Sequence, residues 1–167
     1  MSESSLLILG SGEIARCLAR LVDAAGWPVT VCEPDVADHE WPAAVRREAS
    51  VYADAPWPLP AGTHAVIARG HEGDPDSVAS LLGHGAERVY LIASARRAAN
   101  VLDEVAGQGI GEDVLARVSG PAGLDLGGQG SAEIALSILA EMQWRRAGCR
   151  GELRPAVELR GRRLDKS

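Results

Sequence analysis

The stretch Leu6–Ala15 reads LLILGSGEIA. Its apolar first half has the length of a buried strand, and the apolar residues that follow Glu13 recur at helical spacing. A strand, a glycine turn and a helix N-terminus in this order form a phosphate-binding unit, in which Gly10 makes the turn and Gly12 lets a pyrophosphate approach the backbone. The stretch therefore predicts the first strand–helix unit of a dinucleotide-type α/β sheet.

A carboxylate follows the second predicted strand at the distance expected for ribose recognition. The segment Val29–Cys32 has strand character and ends at Glu33, 21 residues after Gly12, where dinucleotide folds place an acid that accepts ribose hydroxyls. Two interpretations stay open here: a nucleotide site, or a tight turn in a protein that binds nothing. Glu13 bears on this choice, because its charge favours the helix N-terminus but would repel a bound pyrophosphate.

Strand and helix patterns alternate through the rest of the chain. This alternation predicts a Rossmann-like, doubly wound parallel sheet in three layers. It would occupy residues 1–147, followed by a basic tail at 148–167. Further strands are predicted at 51–52, 65–68 and 89–92, and helices after Asp76 and over 42–48, 96–106, 112–117 and 131–144.

Ligands of such sheets bind where the strands end, and the loops there carry polar residues. Arg69, Arg96 and Arg97 could hold phosphates or carboxylates through forked hydrogen bonds, or they could pair with surface acids. Ser94 could cap a helix, and Asp125 could bond the amides of its own turn. The residues predicted to contact a cofactor are Gly10, Ser11, Gly12, Glu13, Ile14, Glu33, Arg69, Gly70, His71, Ser94, Arg96 and Asp125.

Composition limits the class of protein. The 167 residues are 46% hydrophobic and 24% charged, which is ordinary for one globular domain. No apolar run reaches a membrane span and no leader pattern is seen, so a cytoplasmic protein is expected. Cys17, Cys32 and Cys149 lack zinc spacing, which predicts free thiols and no metal site. The basic tail contrasts with the net charge of −6 and suits partner docking better than nucleic-acid binding.

Two later segments carry a family resemblance. YLIASARRAANVL from Tyr90 and PAGLDLGGQGSAEIALSILAEM from Pro121 resemble the C-terminal Rossmann domain of the XdhC/CoxF family. Members of that family are maturation factors for molybdenum hydroxylases such as xanthine dehydrogenase and carbon monoxide dehydrogenase. The resemblance covers about residues 6–146. It matches the glycine turn, Glu33, the loop Arg69–Glu72, Ser94 with Arg96, and Asp125.

The resemblance implies an accessory factor, not an enzyme, that binds molybdenum cofactor and assists its sulfuration or insertion. Its partners would be a molybdenum hydroxylase and a sulfur donor, with no nucleic acid and no membrane. The glycine turn by itself favours NAD(P) or another nucleotide as ligand. An NAD(P)-dependent oxidoreductase and a non-catalytic interaction module, docking through Ser131–Trp144 and the tail, are the alternatives. A homodimer is a further expectation, because Trp144 and the apolar helix before it could form a dimer face.

Overall fold

The computed structural model describes residues 4–49, 59–70 and 74–148. Within them, six parallel strands form one sheet in the order β3-β2-β1-β4-β5-β6. This order reverses direction at β1, so the sheet is doubly wound, as the alternating pattern predicts. The strands are β1 (Ser5–Leu9), β2 (Val29–Cys32), β3 (Arg46–Glu48), β4 (Thr63–Ile67), β5 (Arg88–Leu91) and β6 (Val118–Ser119).

Helices cover both faces of the sheet and complete a three-layer α/β fold. The helices are α1 (Glu13–Ala24), α2 (Asp74–Gly83), α3 (Ala95–Gly107), α4 (Glu112–Leu115) and α5 (Ser131–Ala147), with a short 3-10 turn at Val36–Asp38. The helices α1 and α5 pack on each other and share a core with one face. The helices α2 and α3 cover the opposite face.

The central strand β1 explains why its sequence is apolar throughout. Leu6 and Ile8 enter the core under α1 and α5, whereas Leu7 and Leu9 enter the core under α2 and α3. All four side chains are at most 2% exposed. A parallel strand covered on both sides has no solvent face, so it needs a continuous apolar run instead of an alternating one.

Both edges of the sheet differ from the sequence-based expectation. Residues 46–48 form strand β3 and not the short helix predicted over 42–48, because Arg46 and Arg47 pair with the open edge of β2. The two-residue strand β6 was not predicted, since its length is too short to show a pattern. Both strands owe their conformation to hydrogen bonds with a neighbour. The strand predicted at 51–52 lies outside the described residues.

One buried polar contact interrupts the apolar core. His64 on β4 is 1% exposed, and its Nδ1 lies 3.1 Å from the hydroxyl oxygen of Tyr90 on β5. The indole of Trp27 lies 5.5 Å away between ring centroids. Burial lowers the pKa of His64 and raises the pKa of Tyr90, so both side chains are neutral at pH 7.

No helix within the described ranges combines the length and the apolar character that crossing a membrane requires.

Candidate functional site: a crevice at the carboxyl edge of the sheet

The glycine turn after β1 begins the crevice. Gly10 has φ +135°, and a Cβ there would lie 2.5 Å from the carbonyl oxygen of Ala68, so only glycine fits. Gly12 is the N-cap of α1, with φ −64° and ψ 177° and no side-chain cap. A Cβ at Gly12 would meet nothing within 4 Å. The uncapped first turn of α1 therefore offers backbone N–H groups and open space to an anion.

A first cavity of about 570 Å³ lies where β1, β2 and β4 end. Glu33, which follows β2, and Arg69, which follows β4, form an ion pair in its wall, in which Nε of Arg69 donates to Oε1 of Glu33. Both side chains are more than four-fifths buried. The walls comprise Gly10, Ser11, Gly12, Glu33, Pro34, Asp35, Ala68 and Arg69.

Asp35 adds a second carboxylate to this cavity. The hydroxyl of Ser11 donates to its Oδ2 at 3.0 Å, and Nε2 of His39 lies 3.2 Å from the same oxygen. These two hydrogen bonds lower the pKa of Asp35, because they stabilise the charged carboxylate. The cavity wall therefore combines the carboxyl groups of Glu33 and Asp35 with the guanidinium of Arg69.

A second cavity of about 690 Å³ continues along the same edge. It shares Gly12 and Ala68 with the first cavity, so the two form one crevice. Three helices begin at its wall, α1 at Glu13, α3 after the N-cap Ser94, and α5 at Ser131. Their positive dipole ends favour an anionic ligand. The walls comprise Gly12, Glu13, Ile14, Ala15, Ala68, Gly70, Ile92, Ala93, Ser94, Arg97, Ala122, Ser131 and Ile134.

The arginine of this second cavity is Arg97 and not the predicted Arg96. Arg97 donates to the carboxylate of Asp74, which is 1% exposed, and to the carbonyl oxygen of Gly70. It thereby ties the loop after β4 to α3. Arg96 is exposed and lines neither cavity in the described part of the chain. One residue rotates a side chain by about 100° around a helix, and the sequence did not fix that rotation.

A buried glutamate supports the glycine-rich segment behind the second cavity. Oε2 of Glu141 accepts from the backbone N–H of Gly123 at 2.7 Å, and Oε1 accepts from Nε of Arg145 at 2.7 Å. Glu141 is only 4% exposed, and it holds the loop that brings Ala122 to the cavity wall. Sequence reasoning did not select Glu141, although its position on the apolar stripe of α5 was a usable signal.

The remaining predicted residues divide into three groups. Ser94 accepts from the N–H of Arg97 at 3.3 Å and also lines the second cavity. Asp125 is exposed and contributes to neither cavity wall. It accepts from the N–H of Gly127 at 3.2 Å, which is the bond within its own turn that the sequence allowed. His71 lies outside the described residues. In the described ranges, no group of three His, Cys, Asp or Glu side chains is arranged for a metal ion.

The comparisons with known proteins agree with this geometry. A family model described as the XdhC Rossmann domain matches residues 6–142. The chain belongs to the XdhC Rossmann domain family. The resemblance inferred from the Tyr90 and Pro121 segments is thereby confirmed. A search of curated proteins found no match.

A solved structure supports the fold of this XdhC Rossmann domain. It is described as a xanthine dehydrogenase from Bacillus halodurans, and it matches with a TM-score of 0.68 at 18% sequence identity. The match covers 87% of this chain and 45% of that one, so the chain spans less than half of its neighbour's length. At this identity the likeness concerns the fold.

Proposed function

We propose that this XdhC-family protein is an accessory factor in the maturation of a molybdenum hydroxylase of the xanthine dehydrogenase class. In this proposal its crevice binds a phosphate-bearing cofactor, either a nucleotide or the molybdenum cofactor. The protein assists the sulfuration or insertion of the molybdenum cofactor in the cytoplasm. The match of residues 6–142 to the XdhC Rossmann domain carries the proposal.

The crevice suits a ligand that carries phosphate groups. Its two cavities, of about 570 and 690 Å³, fall within the usual range of ligand sites. Gly12 leaves open space in front of α1, and the N-termini of α3 and α5 face the second cavity. A pyrophosphate at the glycine turn would accept hydrogen bonds from the backbone, while Ser94 and Ser131 offer further hydroxyl donors.

Sulfur transfer needs a thiol or persulfide carrier, and the described walls hold none. Cys32 is buried, and Cys17 lies on a separate apolar groove between α1 and α5. Within residues 4–49, 59–70 and 74–148, neither cavity wall includes a cysteine. Cys149 lies outside the described residues. In this proposal a partner protein supplies the sulfur-donating group, and this chain binds the cofactor.

The interaction-module alternative is favoured by one surface feature. Leu136 on α5 is 51% exposed and lines the groove with Cys17 and Leu21 of α1. Exposed apolar side chains of this size mark contact surfaces. If the protein is only an interaction module, a side chain that fills the crevice should leave its association with the partner intact. Of the tail predicted at 148–167, residues 149–167 lie outside the described residues.

Co-expression with an apo molybdenum hydroxylase tests the proposal. We expect the full chain to co-purify with the hydroxylase and to raise the fraction that contains sulfurated cofactor. Gly12→Val should abolish the gain, because its side chain fills the phosphate position while its backbone angles suit any residue. Gly107→Ala, at the end of α3 in open space, is the control and should retain the gain.

Three measurements separate the outcomes. Absence of both association and activation by the wild-type chain would refute the maturation role. Association that survives Gly12→Val, with activation equal to wild type, would favour the interaction module. Reduction of NAD(P)+ by the purified chain with a small-molecule donor would favour the oxidoreductase alternative, to which Glu33 at the ribose position lends support.

A further inference from the structure

The outer side of α5 is apolar where a solvent-facing helix carries charge. Residues 131–140 include one charged side chain, Glu133, and Leu136 among them is 51% exposed. The exposed side of α3, on the opposite face of the sheet, instead carries Asp103 and Glu104. A helix that is apolar on its outer side as well is typical of one that another surface covers.

The groove between α1 and α5 lies on this outer side and has a volume of about 410 Å³. Both helices begin at the second cavity and pack on each other, so they run past the groove in the same direction. Its rim carries one basic residue from α1 and one acidic residue from α5, and Arg20 forms no ion pair within the described ranges. The walls comprise Cys17, Arg20, Leu21, Ala132, Glu133 and Leu136.

These two opposite charges make the groove complementary to itself. In a two-fold interface, residue i of one chain contacts residue j of the other, and j contacts i. A two-fold axis parallel to the helices places α1 of each chain opposite α5 of the other, so Arg20 meets Glu133 of the partner subunit at two symmetric sites. An axis across the helices would place α1 opposite α1 and bring Arg20 near its own copy, which is repulsive. The charges therefore favour the parallel axis.

We propose that the α1–α5 groove is the interface of a symmetric homodimer, in which Leu136 of each chain enters the groove of the other. Arg20 and Glu133 pair across the rim. This face differs from the one expected at Trp144, which lies in the last turn of α5 and is partly buried. Because α1 and α5 also begin at the second cavity, the dimer would hold two walls of each crevice.

The size of this face predicts a weak, reversible dimer. The helices α1 and α5 contain 12 and 17 residues, which corresponds to about 18 and 25 Å of helix. Two helices of this length, about 10 Å apart, present an area near the lower end of specific interfaces. We therefore expect a dissociation constant in the micromolar range.

Sedimentation velocity of the full chain, from low to high micromolar concentration, tests the dimer. Leu136→Asp should weaken association about tenfold, because it places a charge in an apolar groove. Leu126→Asp is the matched control, since Leu126 is 57% exposed and lies off the groove wall. It should leave the dissociation constant unchanged.

Exchange of the two rim charges tests the axis. Arg20→Glu and Glu133→Arg should each weaken the dimer about tenfold, because each variant brings like charges together. The double variant, with both substitutions, should regain most of the lost affinity. Glu133 also accepts from the N–H of Gly130 at the start of α5, but loss of that bond alone would not be rescued by Arg20→Glu.

Three results would overturn the inference: a wild-type chain that stays monomeric at every concentration, a dimer that survives Leu136→Asp, or a double variant no tighter than the single ones. The inference does not depend on the proposed function. A crevice that binds no cofactor would refute the proposed function and leave the dimer in place, so the two failures are distinguishable.

Discussion

The two cavities of the crevice share Gly12 and Ala68, yet they are built in different ways. The first takes its charged groups from residues directly after β2 and β4, and it is acidic. The second joins α1, α3, α5 and the glycine-rich segment, and it places one arginine among helix N-termini. The two halves of one crevice therefore differ in charge, with carboxylates in the first and helix N-termini in the second.

Substitution of Gly10 tests its close contact with Ala68, which lines both cavities. Gly10→Ala places a Cβ at 2.5 Å from the carbonyl oxygen of Ala68 and holds alanine at φ +135°. We expect a loss of about 4 kcal/mol in the free energy of unfolding, from strain and overpacking together. Urea denaturation measures it. Gly107→Ala, which meets open space, should leave stability unchanged or improve it. Equal stability of the two variants would contradict the tight contact.

Alanine substitutions of the neighbouring residues Arg97 and Arg96 compare a buried ion pair at the second cavity with an exposed side chain. Arg97→Ala leaves the buried Asp74 without its guanidinium partner, and we expect a loss of about 3 kcal/mol. Arg96→Ala changes an exposed side chain and should alter stability by less than about 0.5 kcal/mol. Chemical denaturation of both proteins gives the comparison. A larger loss for Arg96→Ala than for Arg97→Ala would contradict the stabilising role of the Arg97–Asp74 ion pair.

Glu141 tests whether the second cavity needs support from behind. Glu141→Ala removes the acceptor for the N–H of Gly123 and for Arg145, and we expect a loss of about 2 kcal/mol. Glu133 on the same helix is exposed and accepts from the N–H of Gly130. Glu133→Ala should cost about 1 kcal/mol. Hydrogen exchange at the N–H of Gly123 should rise in Glu141→Ala only, because Glu133 accepts instead from the N–H groups of Gln129 and Gly130. Unchanged exchange at Gly123 would argue against the support role.

The pH dependence of stability tests the burial of His64 on β4, the strand that precedes Ala68 in the crevice wall. Burial lowers the pKa of His64 below its ordinary value of 6.5. As the pH falls below 6.5, the unfolded chain takes up this proton at a higher pH than the folded chain does. The free energy of unfolding should therefore fall between pH 6.5 and 5.5, by at most about 1.4 kcal/mol per pH unit. Urea denaturation at pH 7.5, 6.5 and 5.5 follows it, and His64→Gln should flatten the slope. Identical slopes would contradict the burial effect.

The residues of the first cavity were easier to predict from the sequence than those of the second. Gly10, Gly12 and Glu33 were predicted together, because a glycine turn and the acid after the next strand have fixed spacing along the chain. Glu141 was not selected, and Arg97 was considered but left out of the predicted contact residues, since their partners Gly123 and Asp74 lie 18 and 23 residues away. Such distances carry no periodic signal. Strand β3 was predicted as a helix for the same reason, because its pairing with β2 lies outside its own residues.

The sequence by itself determined the fold and the position of the crevice. The apolar run of β1, the glycine turn and the amphipathic α1 are local patterns, and their physical causes act between near neighbours along the chain. Only the tertiary structure decided the chemistry of the walls. Pairing Arg69 with Glu33 across β1, turning Arg97 toward Asp74 and burying Glu141 behind Gly123 each require packed elements. The partner of a buried charged side chain is a group that packing brings close to it, and the order of residues along the chain does not specify which group that is.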